Sequence, residues 1–431
     1  MKIVHAADLH IDSPMKGLER YEGAPVERVR QATREAFKNV IALCLRERAR
    51  FLVLAGNVFD GDWKDVNTGL FFVSQLARLR EVGCDVLLLR GNHDFELTRA
   101  LTYPDHVHEF SVAAATVAFR GQRTFAFPSD GIAFHGVSYA DRQVKDSLLP
   151  HYPAPLAGML NVGVLHTNAT GSLEHAAYAP CTVGDLVSHG YDYWALGHVH
   201  GHAVLCEQPF VVYPGNTQGR NVREVGPKGC VLVDVDDDER TISGTQLVET
   251  SVMRWFDEEL VLERDDDEHA LLEAVRVRLG HVVARASSQL SAVRLTIRGG
   301  CRAHSVVVAQ HERLVAEVRA LANTHNGALW LEKVRFGTAP ATPIPDLREA
   351  QGLVAELLRH TEALRGEERD DDLLRLALPL DPLKKRLRRE LEELGLDLSD
   401  REFLGRVLDE AEALLAQRLT GLDGATSTEE E

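Results

Sequence analysis

The chain has 431 residues, 45% of them hydrophobic and 26% charged, which excludes a disordered or collagen-like polymer and suits two or three globular domains. Its formal net charge of −17 argues, taken as an average, against a nucleic-acid partner. No apolar run reaches the ~18 residues of a membrane span, and Asp8 stands where a signal peptide is apolar, so the chain reads as soluble and cytoplasmic, with no membrane partner.

Over the first 250 residues short apolar runs alternate with amphipathic stretches. The spacing predicts strands at Lys2–Ala7, Phe51–Ala55 and Asp85–Leu89, with helices at Val26–Arg48 and Asn67–Val82 between them. Beyond Thr116 the pattern is strand-rich, at Thr124–Phe127, Ile132–Val137, Val162–His166, Tyr193–Leu196, Phe210–Tyr213, Gly229–Val235 and Thr241–Val248. This predicts a layered α/β core, as one mixed sheet or two sheets face to face between helices, with function at the carboxyl ends of strands. A second unit, of α+β type, opens near Ser251: strand Glu258–Leu262, helix Glu268–Val283, strand Ala292–Ile297, helix Ser305–Leu321 and strand Ala328–Phe336. The expected domains are therefore 1–250 and 251–337, followed by a proline-rich linker at 338–345, a leucine-rich helical region at 346–423 and a disordered acidic tail at 424–431.

The charge is unevenly spread. Residues 1–250 sum to −7, 251–345 to zero and 346–431 to −10. Within the middle stretch Phe256–Glu268 is acidic, whereas 269–345 carries 10 basic and 4 acidic side chains, a net +6. Overall acidity therefore reports on the tail and on solubility, and it does not exclude DNA. The cysteines Cys44, Cys84, Cys181, Cys206, Cys230 and Cys301 are scattered without a C-x-x-C pair, which suits reduced thiols.

Five segments rich in His, Asp and Asn each follow an apolar run: Asp8-Leu9-His10, Gly56-Asn57-Val58-Phe59-Asp60, Gly91-Asn92-His93-Asp94, His166, and Gly197-His198-Val199-His200. Residues i and i+2 at a strand end point the same way, so Asp8 with His10, or His198 with His200, can reach one cation. Carboxylate, amide and imidazole donors without thiolates favour Mn²⁺, Fe²⁺ or Zn²⁺ over Ca²⁺ or a structural cysteine–zinc site. The candidate metal ligands Asp8, His10, Asn57, Asn92, His166, His198 and His200 are too many for one tetrahedral ion, and a pair of ions clamping a phosphate fits better.

This set resembles the calcineurin-like metallophosphoesterases, whose motifs run DxH, GDxxD, GNHD/E, H and GHxH. Ala7-Asp8-Leu9-His10-Ile11-Asp12-Ser13-Pro14, Tyr213-Pro214-Gly215-Asn216-Thr217-Gln218-Gly219-Arg220 and Gly226-Pro227-Lys228-Gly229-Cys230 resemble, more narrowly, the SbcD/YhaO-type DNA repair nucleases. The resemblance implies an α/β/β/α core with a small α+β capping domain and a helical C-terminal region. It implies two divalent ions, most often Mn²⁺, one on Asp8, His10 and His200 and the other on Asn92, His166 and His198. It makes His93 the acid that protonates the leaving oxygen, with Asp94 fixing its tautomer and Asp60 orienting neighbouring groups. It also implies a nucleoid-associated homodimer that acts on DNA and docks, through 346–423, on the coiled coil of an SMC-like ATPase. Leu383, Leu387, Leu391 and Leu394, beside Lys384, Lys385, Arg386, Arg388 and Arg389, supply an amphipathic face for that docking, although packing within the chain explains the same stripe.

The family places a bridging Asp where this chain has Asn57. Two dications repel strongly, and a neutral amide offsets less of that repulsion than a carboxylate does, so metal occupancy and turnover are expected to fall. Arg220, Arg223 and Lys228 in the glycine-rich stretch, and Arg294, Arg298 and Arg302 in the basic module, are the candidate DNA contacts. His202 reads as an exposed loop residue and His5 as a core histidine, while Trp63 and Phe95 line the site by wall packing or by stacking on a base. Two other functions stay open: a phosphoesterase for small nucleotides or phosphoproteins, and a non-catalytic scaffold for DNA and partner.

Overall fold

The computed structural model describes residues 1–13, 24–61, 66–94, 101–112, 122–169, 178–286, 289–341, 352–364 and 381–386, with scattered positions between 397 and 415. Pro14, Trp63, Phe95, Arg388, Arg389, Leu387, Leu391, Leu394 and the tail 424–431 lie outside the described residues, as does the Leu383 side chain. The chain forms two compact units, one of Met1–Asp257 with Val282–Val293 and Asn326–Glu332, the other of Glu258–His281 with Arg294–His325 and Lys333–Glu431. No described helix is long and apolar enough to cross a membrane.

The first unit holds two six-stranded sheets. Strands β1 (Lys2–Ala6), β2 (Phe51–Ala55), β3 (Asp85–Leu89) and β4 (Val107–Glu109) run parallel, with Ile3 opposite Phe51 and Leu52 opposite Val86. The other sheet sets β6 (Ile132–Gly136), β7 (Leu160–His166), β8 (Tyr193–Gly197) and β10 (Phe210–Tyr213) parallel, between the antiparallel edges β5 (Thr124–Phe127) and β9 (Ala203–Glu207). The hairpin of β11 (Gly229–Asp236) and β12 (Thr241–Glu249) adds antiparallel to β1.

Side-chain alternation makes the layers. Ile3, Val53 and Leu87 face one way and meet Phe134, Val162 and Ala195 of the second sheet in a shared core. Val4, Leu52, Leu54 and Val86 face the other way, against Phe37 and Val40 of helix α1 (Val26–Glu47) and Phe72 and Leu76 of α2 (Val66–Ala77). Leu165, Trp194 and Leu196 line the far face of the second sheet with Leu186 of α3 (Val183–Ser188). The result is the expected α/β/β/α layering.

A third sheet has the order β13 (Met253–Val261), β14 (Leu290–Cys301), β15 (Leu329–Pro340), accompanied by helices α4 (Glu268–Arg285), α5 (His304–Ala309) and α6 (His311–Asn323). Two further helices, α7 (Leu353–Leu364) and α8 (Asp381–Arg386), fall in the leucine-rich region.

Four local differences from the sequence expectations have physical reasons. The helix expected over Ser305–Leu321 breaks at Gln310, whose φ of −135° and ψ of 40° are not helical, after the β-branched run Val306-Val307-Val308. Thr338–Pro340 continue β15 rather than opening the linker expected from 338; a proline closing an edge strand costs no ladder bond. Arg78–Val82 tightens from α to 3₁₀ helix ahead of the left-handed Gly83. Strands β4 and β9 are edge strands too short and too polar for periodicity to reveal.

Candidate metal centre

Every motif residue follows the carboxyl end of a parallel strand in the first unit. Asp8 and His10 follow β1, Asn57 and Asp60 follow β2, Asn92, His93 and Asp94 follow β3, His166 ends β7, and His198 and His200 follow β8. The turns are stitched to one another: the N–H of Asp8 donates to Gly56 O and that of His10 to Asn57 O, each at 3.0 Å. Asp8, His10, Asn57 and His198 all adopt positive φ (52°, 44°, 53° and 99°), an uncommon backbone state that the surrounding packing must enforce. At Gly56, with φ of 91°, a Cβ would run into the His166 ring, so only glycine lets that ring approach the β2 turn.

The seven candidate ligands converge. Asp8 Oδ1 lies 3.8 Å from His10 Nε2 and 3.8 Å from His200 Nε2, and the three donors fall within 4.8 Å of one another. Asp8 Oδ2 accepts the His198 N–H at 2.8 Å, and the His198 ring centroid stands 5.2 Å from that of His166. His166 Nδ1 donates to Ala55 O at 2.9 Å, which leaves the Nε2 lone pair facing Asn92 Oδ1 at 3.0 Å. Two lone pairs meeting in this way are satisfied by a cation between them. His10 is buried, yet neither of its ring nitrogens makes a hydrogen bond, and a buried imidazole without partners is costly unless it is a ligand. Burial pushes His10 down to about 4, so it is neutral at neutral pH, as a ligand must be. Burial opposes ionisation of Asp8, but His200, His166, His10 and His198 outweigh it and hold the carboxyl below its ordinary value. The donor set fits a divalent metal.

Asn57 sits among these donors. Its Nδ2 donates to Asp8 Oδ1 at 2.9 Å and to Asn92 Oδ1 at 3.2 Å, while its Oδ1 accepts the His93 N–H at 3.0 Å. The amide thus turns N–H groups toward two oxygens that would otherwise face a cation.

A calcineurin-like phosphoesterase family model matches residues 1–202, and a model of the middle domain of metallophosphoesterase YhaO matches 255–339. Residues 1–202 are a calcineurin-like metallophosphoesterase domain. The chain is 38% identical over 240 residues to the uncharacterized metallophosphoesterase YhaO of Bacillus subtilis, covering 54% of this chain and 57% of that one. It is 25% identical over 220 residues to the DNA double-strand break repair protein Mre11 of Methanopyrus kandleri, covering 46% and 44% of the two chains, and 22% identical over 256 residues to the Mre11 protein of Sulfurisphaera tokodaii, covering 56% and 61%. The alignments thus span roughly half of the curated relatives they match. They are consistent with the SbcD/YhaO-type family.

Within the metallophosphoesterase domain, one expected pairing is corrected. Asp94 does not meet the His93 ring; its buried carboxylate accepts the Val58 N–H at 2.8 Å and the Gly91 N–H at 2.6 Å, tying the β2 turn to the β3 turn. Burial nevertheless pushes Asp94 up to about 6. His93 Nδ1 meets Asp60 Oδ1 instead, at 2.6 Å. Burial opposes ionisation of Asp60, but His93 at 2.6 Å and the His10 ring, 3.5 Å away, hold it far below the ordinary carboxylate range.

Glu224 completes the domain's site and has no motif of its own in the sequence. Its Oε1 lies 2.8 Å from His200 Nδ1, and its Oε2 accepts from the Arg220 N–H at 2.7 Å and Asn216 Nδ2 at 2.8 Å. Burial opposes its ionisation, yet His200 and Arg220 hold it down at about 2. A carboxylate behind a ligand histidine fixes that ring's tautomer and orientation. The available signal was position: Glu224 closes the Asn221–Glu224 turn that directly follows the YPGNTQGR motif.

The candidate DNA contacts separate. Lys228 is buried, with Nζ donating to His200 O at 2.6 Å, so it is no surface cation. Arg220 faces Asp60 and Glu224, whereas Arg223 is exposed. In the second unit Arg298 pairs with Glu259 at 3.1 Å, Arg294 lies two positions of alternation away on the same face of β14, and Arg302 is exposed. His202 is exposed and its Nδ1 donates to Tyr213 O at 2.9 Å; His5 is a core residue, 3.0 Å from Tyr193 Oη and 3.1 Å from Leu196 O.

Proposed function

We propose that the chain is a metal-dependent phosphodiesterase that hydrolyses DNA, the nuclease subunit of an SbcCD-like repair complex, with metal occupancy and turnover lowered by Asn57. The observation that carries this reading is the convergence of seven oxygen and nitrogen donors beside a histidine held on a carboxylate. DNA as substrate is supported by the likeness to the DNA double-strand break repair proteins Mre11.

Asp8, His10 and His200 would hold one ion, and Asn92, His166 and His198 the other, with Asn57 between them. Bound divalent ions, most often Mn²⁺ in this family, would polarise the phosphoryl group and acidify water. The chain's own residues do the rest. Asp60 accepts a hydrogen bond from His93 Nδ1–H, so that when the ring carries a second proton its Nε2–H is the one directed at the leaving oxygen, and the ring keeps the Nδ1 proton after the transfer. Asp94 locks the two turns that carry Asn57 and Asn92, and Glu224 orients His200. The second unit would cap DNA through Arg294, Arg298 and Arg302, and 346–423 would dock on an SMC-like ATPase.

Turnover of linear duplex, hairpin and single-stranded DNA beside bis(p-nitrophenyl) phosphate, with Mn²⁺, tests this. DNA is expected to be hydrolysed at least tenfold faster than the small diester. Equal turnover of all substrates would point instead to a small-substrate phosphoesterase. A Mn²⁺-loaded Asn57→Asp protein that hydrolyses none of them would point to a scaffold.

A further inference from the structure

We propose that Arg220 is a positioning residue whose guanidinium joins the carboxylate behind His93 to the carboxylate behind His200, so that the proton-donating side and the metal side of the site are set as one unit. This rests on the metallophosphodiesterase reading above.

The chain of contacts is continuous. His93 Nδ1 lies 2.6 Å from Asp60 Oδ1, and Asp60 Oδ2 lies 3.6 Å from Arg220 Nη1. Ser13 Oγ donates to the same Asp60 oxygen at 2.6 Å and accepts from Arg220 Nη1 at 3.4 Å, bridging the longer step. On the other side Arg220 Nη2 lies 3.4 Å from Glu224 Oε1, which lies 2.8 Å from His200 Nδ1. The two imidazoles so linked flank His10, their ring centroids 5.2 and 5.3 Å from it.

The link is built to be rigid. The Gln218 amide donates to Gly219 O and Met253 O at 2.9 and 2.8 Å and accepts the Val252 N–H at 2.9 Å, while Trp255 Nε1 donates to Gly219 O at 3.0 Å. The Arg220 side chain is only 18% exposed, and both terminal nitrogens already face protein acceptors. A planar fork is the one side chain that spans two carboxylates in fixed geometry; an ammonium reaches one. With Arg220 removed, Asp60 and Glu224 would stand as two like charges with nothing between them. These contacts assign Arg220 to the protein's own carboxylates rather than to a DNA phosphate.

The test compares full-length wild type, Arg220→Gln and Arg220→Lys, each checked for folding by its thermal transition. Three readouts apply: Mn²⁺ affinity by calorimetry, kcat and KM on bis(p-nitrophenyl) phosphate and on linear duplex DNA, and the ring signals of His93 and His200 in metal-free, histidine-¹⁵N-labelled protein. Both variants are expected to bind Mn²⁺ about tenfold more weakly, to lose kcat with KM little changed, and to move both ring signals together. Unchanged Mn²⁺ affinity and kcat with a raised KM for DNA would assign Arg220 to substrate phosphates and overturn the proposal, as would movement of one imidazole alone. Wild-type protein that takes up no Mn²⁺ would sink the metallophosphodiesterase reading, while the ring signals would still decide the bridge.

Discussion

Asp60 Oδ1 stands 2.6 Å from His93 Nδ1, and the second oxygen of that carboxylate receives Ser13 Oγ at 2.6 Å. A fully ionised carboxylate on Nδ1 fixes the tautomer of His93 and presents Nε2 to the partly open side of the site, where a leaving oxygen would need a proton. Asp60→Asn keeps the shape and loses the charge. In an Asn57→Asp background, kcat on a small phosphodiester should fall about 10²–10⁴-fold, the usual contribution of a general acid, with Mn²⁺ affinity within a few-fold of its parent. An unchanged kcat would exclude His93 as the acid.

Glu224 acts on the metal side. Glu224→Gln should weaken Mn²⁺ binding about 10–100-fold, the range seen when a carboxylate behind a ligand histidine is lost. Calorimetric titration measures this directly, and an unaltered affinity would mean that His200 is held in place without it.

The site was legible in the sequence to the extent that its residues follow apolar strands. Asp8, His10, Asn57, Asn92, His166, His198 and His200 each end a run that alternation identifies as strand, and parallel strands bring their carboxyl ends together. The pairing of His93 with Asp60 rather than Asp94 was not legible, because both acids lie in motifs and only the turn geometry decides which one faces the ring. Glu224 was hidden for a related reason: its role depends on a turn near 220 meeting a histidine 24 residues earlier in sequence. Lys228 misled, since a lysine in a glycine-rich stretch reads as solvated until its burial is seen.

His5 gives a stability prediction independent of metal. Burial pushes its pKa down to about 3, from an ordinary 6.5 in the unfolded chain. The unfolded state therefore binds a proton that the folded state refuses between those values, so stability contributed by the neutral ring is present above pH 6.5 and falls as the pH drops toward 3. From pH 6.5 to 5 the loss from this residue is about 2 kcal/mol. His5→Gln, which cannot titrate, should flatten the pH dependence of the urea midpoint across this window. Parallel curves for the two proteins would contradict the assignment.

Lys228 and Arg223 should part company in DNA binding. Arg223→Ala is expected to lower the slope of log K against log salt by about one phosphate contact. Lys228→Met should leave that slope unchanged and instead cost about 1.5–3 kcal/mol of stability, from loss of a charged hydrogen bond to His200 O. A reduced slope in Lys228→Met would show that the ammonium reaches DNA.

The central claim is that this site is a metal-dependent phosphodiesterase held back by Asn57. Its most direct test is the Mn²⁺-dependent hydrolysis of linear duplex DNA by wild type and by Asn57→Asp, side by side and with chelator controls. A carboxylate at 57 removes the N–H groups now turned toward Asp8 and Asn92 and would place a negative charge between the ligand sets proposed above. The account predicts that Asn57→Asp cleaves DNA at least tenfold faster than wild type and that chelator abolishes cleavage by both. No gain in Asn57→Asp, or cleavage indifferent to chelator, would contradict it.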